Sequence, residues 1–153
     1  MTKNTITTIL IGTIIFCSLV GYNYLIAQKK ILETRPSDLS INLVSYPETV
    51  VADQDGAFVW QINSSPDLVT KRTTIYWGYN STPSALTTTD SPDAVGYLYT
   101  QEDYLQGVFS LPDMFDLAIR FEKTGKIFFR GYAKVGDKHL WTEEKFIEVI
   151  PKP

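Results

Sequence analysis

Between Ile41 and Val149 apolar side chains recur at every second position in short bursts, and each burst is cut off by a cluster of Gly, Pro, Asn, Asp or Ser. Phe58, Trp60 and Ile62 alternate with Ala57, Val59 and Gln61, and Ile75, Trp77 and Tyr79 alternate with Thr74, Tyr76 and Gly78. Phe115, Leu117, Ile119 and Phe121 form a third series, and Ile127, Phe129, Gly131 and Ala133 a fourth. A period of two puts successive side chains on opposite faces, so each series predicts a strand with one face in a core. Ile41 with Leu43, then Val50 with Val51, precede these, and Phe146, Ile147 and Val149 close the pattern. Tyr97 with Tyr99, and Val108 to Leu111, read as weaker edge strands. Turns are expected at Asp53-Gln54-Asp55-Gly56, at Lys123-Thr124-Gly125-Lys126 and at Gly136-Asp137, and the Ser, Thr and Pro of residues 80–92 predict irregular chain. About seven short strands without an amphipathic helix predict an all-β fold, an antiparallel sandwich.

The start of the chain is patterned differently. From Thr5 to Ala27 no charged residue interrupts an apolar run whose nearest charges are Lys3 and Lys29. At about 1.5 Å of rise per residue, a helix of that length covers a hydrocarbon core of about 30 Å. Residues 1–28 are therefore expected to form one N-terminal transmembrane helix, a membrane anchor or uncleaved signal. Residues 29–39 then make a juxtamembrane linker in which Pro36 stops the helix, and 40–150 the sandwich. A cleaved signal peptide shares the basic start, but a cut after Ala27 would put Leu25 where a small residue is needed, and Phe16 stands before Cys17 where lipoprotein processing needs one. Lys29, Lys30 and Arg35 on the far flank would, by the positive-inside rule, keep the sandwich in the cytoplasm. Its composition is that of an exported β-module, and the extracytoplasmic side is the expectation.

Composition excludes several classes. Only Lys3 precedes the apolar run, so 13 of the 14 basic residues face 17 acidic ones in the remainder, a net charge of −4. A nucleic-acid footprint requires the opposite sign, and no nucleic-acid partner is expected. Cys17, the one cysteine, lies in the apolar run, so residues 28–153 hold no disulfide and no thiolate metal site. No cofactor is implied.

Candidate chemistry is sparse. His139 is the sole histidine and reads as a surface residue of the last hairpin. Asp53, Asp55 and Gly56 resemble the start of a calcium loop to which Asp90 and Asp93 could add oxygens, but no closing glutamate completes it, and a solvated turn is the simpler reading. Glu102 with Asp103, and Glu143 with Glu144, are adjacent pairs that a strand would point to opposite faces, so they read as solubilising charges rather than a glycosidase pair. Two sequons, at Asn63 and Asn80, fall in expected loops, each with a proline directly after it.

Three features together resemble the fibronectin type III and immunoglobulin-like sandwiches. These are Trp60 on an early strand, the Ile75-Tyr76-Trp77-Gly78-Tyr79 strand, and the closing pattern from Ile127 through Ala133 and Gly136 to Trp141-Thr142-Glu143-Glu144. The resemblance spans about residues 40–150 and departs from the fibronectin type III pattern at Ile127, where a corner tyrosine is usual. It implies a module for binding or adhesion rather than catalysis, and fold alone transfers no function.

Nine tyrosines, eight phenylalanines and three tryptophans are more than one thin core requires. Tyr76, Phe128 and Tyr132 fall on the strand face opposite Ile75, Trp77 and Phe129. With Arg130 they form either an outward binding surface for a protein or a glycan, or the floor of a thicker core. The expected function is a membrane-anchored, extracytoplasmic binding or adhesion module without catalysis, with homo-oligomerisation open. A structural subunit of a surface filament or envelope complex is the alternative, and a minor hydrolase a third.

Overall fold

The computed structural model describes residues 39–153 apart from Pro83, so the expected anchor and residues 29–38 of the linker lie outside the described residues. The strands are β1 (Ser40–Ser45), β2 (Thr49–Val51), β3 (Asp55–Asn63), β4 (Val69–Gly78), β5 (Tyr99–Thr100), β6 (Phe109–Ser110), β7 (Asp113–Arg120), β8 (Gly125–Val135), β9 (Lys138–Trp141) and β10 (Lys145–Ile150), and one helical turn, α1 (Pro92–Val95), precedes β5. They build two sheets. The first has the order β1-β3-β7, and the second the order β2-β10-β8-β4-β5, with β6 extending the edge of β4 and β9 lying beside β8.

The period-two series do what their spacing predicts. Phe58, Trp60 and Ile62 from β3 and Phe115, Leu117 and Ile119 from β7 point inward against Ile75, Ile127, Phe129, Ile147 and Val149 of the second sheet. Phe58 packs edge-on to both Phe121 and Phe129, and Trp60 stacks on Phe115 at 5.8 Å. The corner position Ile127 is fully buried and pairs in register with Ile147, so aliphatic packing holds it.

A disulfide often ties such sheets together, and here a hydrogen-bond chain crosses between them instead. A buried indole N–H needs an acceptor. Trp60 Nε1 of the first sheet donates to Thr73 Oγ1 on β4 at 2.8 Å, and that hydroxyl donates onward to the Tyr132 carbonyl on β8 at 2.7 Å. A threonine hydroxyl suits this place because it accepts and donates at once.

Two expectations are corrected. Strand pairing is not wholly antiparallel, because β2 runs parallel to β10. The first edge divides after the bulge between Leu43 and Ser45, and β2 joins the other sheet beyond Tyr46 and Pro47. Proline lacks a ladder donor and fits that crossing, and Gly56 is required beside it, since a Cβ there would meet Val50 Cγ2 at 2.9 Å. The edge strand expected at Tyr97 begins only at Tyr99, and the irregular segment of residues 80–92 leads into the turn α1, which starts at Pro92 where a missing N–H costs nothing. Leu39, next to β1, packs against the core.

The last hairpin turns through Gly136 at φ 58, a value that favours glycine at the first central position of a two-residue turn. That turn sets the register of β8 with β9, which places Trp141 beside Tyr132 and His139 beside Lys134. One face of the second sheet is thereby committed to the core, and the opposite face carries Tyr76, Phe128, Arg130, Tyr132 and Trp141.

Candidate functional site

That opposite face is the one the sequence left open between a binding surface and a thicker core, and most of it is covered. Tyr132 is fully buried and Tyr76 nearly so. With Tyr97 they form a second, smaller core against Val95, Phe128 and Trp141. Tyr76 meets Tyr132 edge-on at 5.4 Å, and Trp141 lies 4.6 Å from Tyr132. Burial pushes the Tyr132 hydroxyl up to about 12, with the neighbouring Tyr76 adding to the effect. The thicker core is thus the reading the structure bears, and the cover is the long segment between β4 and β5, residues 79–98.

Arg130 holds the cover down. Its place on β8 points it outward from the main core, yet it is only 4% exposed. The guanidinium donates to the carbonyls of Thr82 at 2.8 Å and Ser84 at 3.0 Å within the cover, to the Thr142 carbonyl at 3.1 Å, and to the Tyr97 hydroxyl at 3.2 Å. A planar fork with several fixed donors can satisfy four acceptors at once, which an ammonium cannot do in one plane.

Glu144 completes the clamp, and no local sequence pattern marks it. The residue reads as a solubilising charge, but its carboxylate accepts from the Ser81 hydroxyl, from the Thr82 amide at 2.7 Å and hydroxyl at 3.1 Å, and from the Tyr97 hydroxyl. Burial pushes the Glu144 carboxyl up, but the hydrogen bonds from Ser81, Tyr97 and Thr82 together outweigh it and hold the group below the usual glutamate range. Its neighbour Glu143 does behave as a surface charge, paired at 3.1 Å with Lys145.

Further along the cover, Asp90 accepts from the Thr87 amide at 2.6 Å and hydroxyl at 2.8 Å, which holds its carboxyl low. Trp141 Nε1 donates to the Asp90 carbonyl at 2.8 Å. His139, expected at the surface, is half-buried, and its Nδ1 hydrogen-bonds the Tyr132 hydroxyl at 2.8 Å.

A carboxylate with a depressed folded value contributes stability that is present above its unfolded value and lost as pH falls through the folded one. The cover is therefore expected to loosen as pH drops below the ordinary glutamate value of 4.5. Emission from Trp141 is the reporter, and Glu144→Gln is expected to reduce the acid-dependent part of the change.

The other candidates are accounted for individually. Asp55 forms a bidentate pair with Arg120 at 2.8 and 3.0 Å, and Asp53 occupies a turn at φ 65. Among the described residues no group of three or more His, Cys, Asp or Glu converges on a metal-sized site. Asn80 is exposed at the start of the cover, and Asn63 is half-buried at the end of β3, opposite Ser40.

Of the four residues expected at the surface, Phe128 alone keeps an exposed portion. It lies opposite Phe146 of β10 in register, their rings 6.3 Å apart. Phe146 is 54% exposed, and Lys126 Nζ sits 4.3 Å above its ring. Beside this pair opens a cleft of about 570 Å³ lined by Tyr46, Glu48, Thr49, Glu144, Lys145 and Phe146. The sequence signal for Phe146 was its alternation with the buried Ile147.

No protein-family model matches the chain, and no curated protein matches it. Among solved structures, a PKD domain of a peptidase from a Thermoplasmatales archaeon matches with a TM-score of 0.50 at 16% identity, covering 76% of this chain and 97% of that one. A cohesin module of a glycoside hydrolase from Clostridium perfringens matches with a TM-score of 0.39 at 11% identity, covering 76% of this chain and 99% of that one. Taken with the strand order above, the PKD likeness assigns the chain an immunoglobulin-like β-sandwich fold and does not single out the fibronectin type III branch.

Proposed function

We propose that this chain is a membrane-anchored, extracytoplasmic binding module without catalytic activity, and that Phe128 and Phe146 form its contact with a protein or carbohydrate partner. One observation carries the reading. At one end of the sheet face, beyond the part sealed by the cover, this aromatic pair stays open to solvent next to a cleft that also offers two glutamates and a lysine. Leaving a phenylalanine side chain in water forgoes about 1.5–3 kcal/mol of burial. An open ring flanked by polar groups is the usual composition of an anchor at a recognition surface. The apolar run from Thr5 to Ala27 supports the anchoring, and the mildly acidic, cysteine-free β-domain supports export into a compartment where no disulfide is required.

Two measurements test the reading. Full-length protein in detergent is expected to be retained by members of a glycan and cell-surface protein array, and Phe146→Ser to lower that retention by about tenfold or more, as loss of a central anchor does. The substituted side chain is already largely in water, so the unfolding midpoint should stay where it was. Equal retention of both proteins would contradict the assignment, and loss of a concentration-dependent oligomer instead would make a second copy the partner. Protease digestion of a C-terminal tag on intact cells is expected to proceed without lysis, and protection from it would remove the extracytoplasmic assignment.

A further inference from the structure

A second cleft, of about 560 Å³, opens along the same outer sheet face and is lined by Val69, Lys71, Arg72, Leu105, Lys134, Gly136 and Asp137. It lies six residues along β8 from Phe128, roughly 20 Å at strand spacing, so it is separate from the aromatic pair. Arg72 and Lys134 face each other directly across the β4–β8 pair. Like charges in that relation destabilise a sheet. The register of the same strand pair shifts between Thr70 and Arg72, which leaves Lys71 as the extra residue of a bulge. A bulge sets two residues against one on the partner strand, so Lys71 and Arg72 both meet Lys134. Among the described residues none of these three cations has an ion-pair partner. His139 flanks Lys134 from β9, and Asp137 is the one carboxylate lining the cleft among the described residues.

We propose that this cleft binds an acidic peptide segment of a partner protein. Three cations gathered against one carboxylate, on a chain whose net charge is −3, form a local field that calls for anionic side chains. Val69 and Leu105 offer apolar wall for a side chain between them. Among the described residues no aromatic side chain lines the cleft, so they offer no stacking platform of the kind that sugars and bases use. A bound carboxylate set between Arg72 and Lys134 would relieve their mutual repulsion.

The test uses full-length protein in neutral-lipid nanodiscs and a short fluorescein-labelled Glu-Leu repeat peptide. Saturable binding is expected, weakening as salt is added and falling by about tenfold or more in Lys134→Glu and Lys71→Glu. Lys134→Glu also replaces a repulsive cross-strand pair by an attractive one, so its unfolding midpoint should rise by about 1–4 °C, which separates lost binding from lost folding. Absence of saturable binding, or binding that Lys134→Glu leaves unchanged, would overturn the proposal. So would equal binding of a Lys-Leu repeat, Lys134-dependent binding of inorganic phosphate alone, or binding of phosphatidylserine vesicles but not of the peptide. Phe146→Ser is expected to leave peptide binding intact, so failure here and failure of the aromatic contact are read independently.

Discussion

Truncating Trp60 to alanine is expected to cost about 3–5 kcal/mol, a large share of the about 5–15 kcal/mol that holds an ordinary domain folded. The side chain is fully buried, stacks on Phe115 and meets Tyr104 edge-on at 6.1 Å. Its loss would open a cavity between the sheets and remove the indole donor to Thr73. Thr73→Val isolates the polar part, because it keeps the volume while leaving the indole N–H without an acceptor and the Tyr132 carbonyl without its hydroxyl donor. About 1–3 kcal/mol is expected for it. Urea unfolding with an unchanged slope measures both. A Thr73→Val protein as stable as the original would mean that the hydrogen-bond chain contributes nothing to holding the sheets together.

The second large effect belongs to Arg130→Met, expected to cost about 2–4 kcal/mol. Methionine replaces the apolar stem of the side chain, so the loss reports the guanidinium. Without it the carbonyls of Thr82, Ser84 and Thr142 lose charged donors in a region where Tyr132 is sealed from water. Arg130→Lys is expected to recover little, since one ammonium cannot reproduce the fork. The damage should be local before it is global. Limited proteolysis within residues 80–98 is expected to begin at denaturant concentrations that leave the main core folded, as it does when one cooperative unit opens ahead of the rest.

The two cores differ in how far the sequence reveals them. The main core follows from alternation, because Phe58, Trp60, Ile62, Phe115, Leu117 and Ile119 repeat at the period of a strand and the pleat converts that period into burial. The same rule put Tyr76, Phe128, Arg130 and Tyr132 together on the other face correctly. It could not say whether that face was wet, since the cover has no periodicity and its Ser, Thr and Pro content describes any loop. The decisive partners are also remote in sequence. Glu144 finds its donors at Ser81, Thr82 and Tyr97, and Arg130 finds its acceptors at Thr82 and Ser84. Long-range pairing of single polar residues leaves no local pattern. The parallel β2 was hidden for another reason, as Thr49–Val51 is too short to display a period and only the glycine at position 56 marks the close crossing. The cationic cleft depends on a one-residue register shift at Lys71, which no propensity encodes.

Amide hydrogen exchange on the full-length protein near neutral pH tests most directly whether the outer face of the second sheet is sealed, leaving recognition to its two ends. The Thr82 amide is bound to Glu144 and the His139 amide to the Thr88 carbonyl, so both bridge the cover to the sheet. Both are expected to exchange far more slowly than in a free peptide, and to lose that protection in Arg130→Met while the Thr73 amide, bound to the Tyr104 carbonyl, keeps its own. Free-peptide rates at Thr82 and His139 in the unmodified protein, with Thr73 still protected, would contradict the account. They would mean that the Tyr76, Arg130 and Tyr132 face stands open and is itself the binding surface.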